Sequence, residues 1–92
     1  MMNVLIVDDE KIEREGVKYL LSQEEGKRMV YEAANGKQAL QLLRTESIDM
    51  LLTDIKMPHM DGLELSRRAK ELFPDIQIVI FSGYNDFTFA QE

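Results

Sequence analysis

At 92 residues, with 45% hydrophobic and 30% charged positions, the chain suits one globular domain with a small core and has neither a disordered nor a membrane-embedded composition. Its 17 Asp and Glu against 11 Lys and Arg give a formal net charge of −6, which argues against direct nucleic-acid contact by this segment, since such binding neutralises phosphates with cations. Cysteine is absent, no apolar run approaches the ~18–20 residues of a membrane span, and no signal-peptide pattern opens the chain; a cytoplasmic protein without membrane contact is expected.

The first element is the apolar run Val4-Leu5-Ile6-Val7, which reads as a strand covered on both faces and ends directly in Asp8 and Asp9. Lys11 to about Gln23 follows as a helix, with Val17, Leu20 and Leu21 on one face and Ile12 one turn nearer the start. Met29 to Ala34 reads as a second strand, and Asn35-Gly36 turns into a helix that buries Ala39, Leu40 and Leu43. Ser47 to Thr53 carries the third strand, and Asp54 follows it as Asp8 follows the first. Asp61-Gly62 opens a helix with Leu65, Ala69, Leu72 and Phe73 at i, i+4, i+7 and i+8, which stops before Pro74. Ile76 to Phe81 is a fourth strand, and a Ser82–Asp86 loop leads into the start of a helix over Phe87–Glu92. Strand and helix patterns alternate without a linker, which predicts βαβ units and a parallel sheet.

In open sheets of that kind the ligand crevice lies outside the carboxyl ends of the strands, so Asp8, Asp9 and Asp54 are expected to converge there. Three carboxylates in one crevice repel unless a cation neutralises them, and hard oxygen donors suit Mg²⁺. The competing reading is that Asp8 and Asp9 cap the first helix. Asp61 reads as a helix cap, Met57-Pro58 as loop geometry, and His59 as a solvated loop residue without a Cys or His partner. Arg67, Arg68 and Lys70 read as a wet helix face. Phe87 reads as packing, and Tyr84 stays open between packing and partner surface. A sheet ending at its fourth strand presents Ile78, Val79, Ile80 and Phe81 as an apolar edge, so a homodimer formed through that edge or by element exchange is expected.

Three stretches at strand ends, Leu5-Ile6-Val7-Asp8-Asp9-Glu10, Asp54-Ile55-Lys56-Met57-Pro58-His59-Met60-Asp61-Gly62 and Ile80-Phe81-Ser82-Gly83-Tyr84, together resemble the receiver domain of two-component response regulators. The resemblance implies a flavodoxin-like doubly wound parallel α/β sheet of strand order 2-1-3-4, here lacking the fifth strand and helix. It implies that Asp54 accepts a phosphoryl group from a sensor histidine kinase. It further implies that Mg²⁺ is held by Asp9, Asp54, Asp8 (directly or through water) and the Lys56 backbone carbonyl. Ser82 matches the switch hydroxyl that turns toward the phosphorylated aspartate, and Gly83 the small residue that leaves access to it.

Complete receivers continue to a fifth strand whose lysine contacts the phosphoryl group; Lys56, on the loop after Asp54, and Lys70, on the third helix, do not match that role. Residues 1–92 are therefore expected to be a receiver domain incomplete at its C-terminus. Ser82–Phe87 also resembles receivers joined to an arabinose-regulator-type helix-turn-helix, which implies DNA contact through an output domain outside this segment. The main alternative is an aspartate-nucleophile phosphohydrolase, which calls for an acid two residues after the nucleophile, where this chain has Lys56. A flavin-binding module ranks behind it, because Asp8-Asp9-Glu10 would repel a phosphate after the first strand.

Overall fold

The computed structural model describes residues 2–82. They form β1 (Met2–Val7), α1 (Lys11–Ser22), β2 (Arg28–Ala33), α2 (Gly36–Thr45), β3 (Met50–Asp54), α3 (Gly62–Leu72) and β4 (Gln77–Phe81). All strand pairings are parallel, and the sheet order is β2-β1-β3-β4, as the sequence led us to expect. Gly83, Tyr84, Phe87 and the helix expected over 87–92 lie outside the described residues.

β1 explains why its run has no polar alternation. Leu5 and Val7 point into a core with Ala39, Leu40 and Leu43 of α2 and Leu65 and Ala69 of α3, while Val4 and Ile6 meet Val17 and Leu21 of α1 on the opposite face. A strand with a helix layer on each side needs apolar residues at every position, and all four are fully buried.

Several element limits differ from the sequence reading. β3 starts at Met50 rather than Ser47, because Ser47 and Asp49 serve another purpose. The Asn3 side chain donates to the Ser47 carbonyl at 2.6 Å, and the Asn3 backbone N–H donates to Asp49 Oδ2 at 2.7 Å, which ties the amino edge of the sheet together outside the ladder. Ile12 is 78% exposed instead of facing the core. At ~100° per residue, five positions place it about 140° around the helix from Val17. Leu72 and Phe73 are also more exposed than their spacing implied, and with Ile48, Pro74 and Ile76 they line an open groove at the end of α3. The helix stops where the sequence placed its end, since a residue before proline is driven out of the helical region and Phe73 adopts φ −137°.

Asn35 and Asp61 begin α2 and α3 by accepting the N–H groups of Gln38 and Glu64, each at 2.8 Å. The cap reading of Asp61 is therefore met. On α3, Arg67 and Arg68 pair with Glu64 at 2.7 Å on the solvent side, and Lys70 reaches back to the Pro74 and Ile76 carbonyls.

Candidate functional site

The register brings the acidic strand ends together. Val7 lies opposite Thr53 in the β1–β3 pair, so Asp8 and Asp54 each follow at the same level on the carboxyl edge. Asp54 itself lies opposite Phe81, which puts Ser82 one residue past that level on the neighbouring strand. Asp8 is fully buried, Asp54 is 7% exposed, and Asp9, Lys56 and Ser82 are exposed.

Backbone donors fix the two buried carboxylates. Asp8 Oδ1 accepts the Glu10 N–H at 2.9 Å, and Asp54 Oδ1 accepts the Ile55 N–H at 2.7 Å. The alternative reading of Asp8 and Asp9 as helix caps is not what forms. The residue at the cap of α1 is Glu10, whose own side chain makes no capping bond, and Asp8 reaches only the Glu10 N–H, one residue ahead of the helix. Behind the site, the Gly62 N–H donates to the Ile55 carbonyl at 2.8 Å, and α3 begins so close to β3 that a Cβ at Gly62 would stand 2.1 Å from the Asp54 carbonyl oxygen. Only glycine permits that approach. Met57 packs into the core beneath the loop, and the exposed His59 takes φ 72°, a left-handed turn conformation.

The structure adds a residue that sequence reasoning passed over. One carboxylate oxygen from each of Asp8, Glu13 and Asp54 lies within 4.8 Å of the other two. Asp9 stays outside this trio, near enough to add negative potential at Asp54. A signal for Glu13 was present: it stands four residues before the buried Val17, on the inward stripe of α1, where an apolar residue would be ordinary. Two unit charges at that separation repel by about 3 kcal/mol at an effective dielectric near 20.

The electrostatics follow from the burial. Burial pushes the Asp8 carboxyl from its ordinary 3.8 up to about 8, the facing Glu13 carboxyl and the Asp54 charge add to this, and the Glu10 N–H opposes it. Asp54 is also raised, first by burial and then by the Glu13 and Asp9 charges, against the N–H groups of Ile55 and Lys56. Asp8 Oδ2 is buried and accepts no hydrogen bond. Ionised carboxylates offer only acceptors, so Asp8 and Glu13 need a proton or a cation between them. Hard oxygen donors of this kind fit Mg²⁺, with Asp8 and Asp54 as the buried members.

A doubly wound parallel sheet with carboxylates gathered at the ends of its central strands defines a flavodoxin-like domain with an acidic pocket. The response regulator receiver domain family matches residues 4–92, and the chain belongs to that family. It is 41% identical over 92 residues to a response regulatory protein of Staphylococcus epidermidis, covering 99% of this chain and 36% of the relative. It is 38% identical over 96 residues to sporulation initiation phosphotransferase F of Bacillus subtilis, covering 100% of this chain and 74% of that protein. Among solved structures, a two-component transcriptional regulator AraC from Clostridium phytofermentans aligns with a TM-score of 0.78 at 33% identity, over 89% of this chain and 67% of that one. The isolated REC domain of RcsB from Salmonella enterica serovar Typhimurium, in the presence of phosphomimetic BeF3−, aligns with a TM-score of 0.80 at 31% identity, over 88% and 61%. The chain spans 40%, 25% and 36% of the length of three transcriptional or response regulatory relatives. No helix among the described residues is long and apolar enough to cross a membrane.

Proposed function

We propose that this receiver domain accepts a phosphoryl group on Asp54 from a sensor histidine kinase, in a Mg²⁺-dependent reaction in the cytoplasm. The change is passed on to a DNA-binding output domain of a longer regulator. The observation that carries the reading is the buried Asp54 carboxylate at the end of β3, held by the Ile55 N–H and set within 4.8 Å of the carboxylates of Asp8 and Glu13. Membership of the receiver family and the names of the transcriptional relatives support the output.

An oxygen of Asp54 attacks phosphorus in line as the P–N bond to the kinase's phosphohistidine breaks, and the imidazole leaves with the bonding pair. Mg²⁺, when bound, supplies positive charge for the phosphoryl oxygens and keeps Asp54 ionised against its burial. Asp8 and Asp9 would hold the ion with Asp54 and the Lys56 carbonyl. The Ile55 N–H fixes the Asp54 rotamer before attack. Ser82, one residue beyond the level of Asp54 on the next strand, supplies a hydroxyl to the new phosphoryl oxygens and couples the site to the segment that follows.

Intact-mass measurement after incubation with Mg²⁺ and acetyl phosphate tests the proposal. One phosphoryl adduct is expected, absent without metal and absent in Asp54→Asn. An adduct that persists in Asp54→Asn would overturn the assignment of Asp54, whereas none while Mg²⁺ binds would mean that the carboxylate pocket needs the absent lysine before it takes up the phosphoryl group.

A further inference from the structure

Glu13 lies on the inward stripe of α1, one turn ahead of Val17, and its carboxylate meets those of Asp8 and Asp54 within 4.8 Å. Structural duties that commonly engage an acid in a first helical turn are already filled. A Glu three residues past the cap ordinarily reaches back to the cap residue's N–H. Here that donor, the Glu10 N–H, goes to Asp8 Oδ1 at 2.9 Å. Two basic residues of α1 are committed as well. Arg14 and Lys18 both pair with Glu32 of β2, at 2.9 and 3.0 Å, and Arg14 also donates to the Asp8 carbonyl at 2.7 Å. Among the described residues, none of the ion pairs includes Asp8, Glu13 or Asp54.

A second observation points to a ligand. Asp8 Oδ2, on a fully buried side chain, accepts no hydrogen bond, although buried carboxylate oxygens are costly to leave unmatched. A cation between Asp8, Glu13 and Asp54 satisfies that atom and removes the repulsion.

We propose that Glu13 is a metal-holding residue of this pocket, offering the bound divalent cation a carboxylate from α1, directly or through one water, beside those of Asp8 and Asp54. The inference rests on the reading that the pocket takes Mg²⁺, and it adds one negative charge to the site on a helix that the strand-end motifs leave out. Removing that charge weakens binding without touching the phosphoacceptor. Outer partners of metal sites typically cost 10–100-fold in affinity when changed, which sets the expected scale at about tenfold.

Isothermal titration calorimetry of the chain with MgCl2, and separately with MnCl2, provides the test on wild type, Glu13→Gln and Glu15→Gln. Glu15 is exposed on the same helix and undergoes the same change of charge, so it reports the diffuse field alone. The expected result is about tenfold weaker binding in Glu13→Gln, with Glu15→Gln close to wild type. The rise in melting temperature on saturation with Mg²⁺ should shrink in Glu13→Gln in parallel. Equal affinity in the two variants would overturn the role of Glu13 while leaving the Mg²⁺ pocket standing. A wild-type chain that binds neither ion would overturn the pocket and this inference together.

Discussion

Gly62 shows how one missing methyl group sets the pocket. The loop after Asp54 has to return to the sheet within a few residues, and it does so by passing the first turn of α3 against the end of β3, where a Cβ would stand 2.1 Å from the Asp54 carbonyl oxygen and 3.0 Å from the Ile55 Cα. Both obstacles are backbone, so no side chain can rotate away. Gly62→Ala must therefore move α3 or the strand end, and forced overpacking of this kind costs about 1–3 kcal/mol. The expected outcome is a lower urea midpoint together with weaker Mg²⁺ binding, because the displaced atoms carry the Asp54 side chain. A variant with unchanged midpoint and affinity would show that the approach is looser than this geometry. Gly26, where φ is +108° and a Cβ would meet nothing within 4 Å, provides the contrast, since substitution there strains the backbone without touching the site.

At the scale of elements, each helix is held by a short list of inward positions. Leu65 is fully buried under α3, whereas Leu63, two residues earlier, is 58% exposed. Leu65→Ala is expected to cost about 2–5 kcal/mol and Leu63→Ala no more than about 0.5, read from denaturant unfolding; equal losses would contradict the placement of α3 on the sheet. The same geometry explains what could be read in the sequence. The strands were legible because two-sided burial leaves unbroken apolar runs, and the phosphoacceptor candidate was legible because such runs end abruptly in aspartate. Ile12 was misplaced because its angle from Val17 puts it off the buried face, and Leu72 and Phe73 because periodicity says nothing about how far the sheet extends beneath a helix end. Glu13 escaped for a related reason. A motif centred on strand ends does not include a helical residue, and the inward polar position became visible only once Val17 and Leu21 defined the buried face of α1.

Over the whole molecule, the acidic pocket makes stability depend on pH with a sign that metal should cancel. In the metal-free fold the Asp8 carboxyl titrates at about 8 instead of 3.8, held up by burial and then by Glu13, so the folded state binds more protons than the unfolded chain between those values. The stabilisation from keeping Asp8 neutral is fully present below about pH 4 and is lost as pH rises through about 8. Asp54, also raised, acts in the same direction. An opposite contribution comes from Glu32, as from the Glu64 carboxyl beside Arg67 and Arg68; at Glu32 burial raises the carboxyl but the Lys18 and Arg14 hydrogen bonds outweigh it and leave it below its usual 4.5. That contribution is complete above about pH 5, so the interval from pH 5.5 to 8.5 isolates the pocket. Metal-free protein is expected to lose stability across this interval, on the order of 3 kcal/mol. Asp8→Asn should flatten most of the slope, because the amide keeps an acceptor for the Glu10 N–H and has no charge to bury. Saturating Mg²⁺ should flatten it in the wild type by stabilising the ionised carboxylates. Thermal unfolding at several pH values, with chelator and with Mg²⁺, checks all three expectations. A metal-free slope identical in wild type and Asp8→Asn would mean that the buried carboxylate does not govern the stability of this fold.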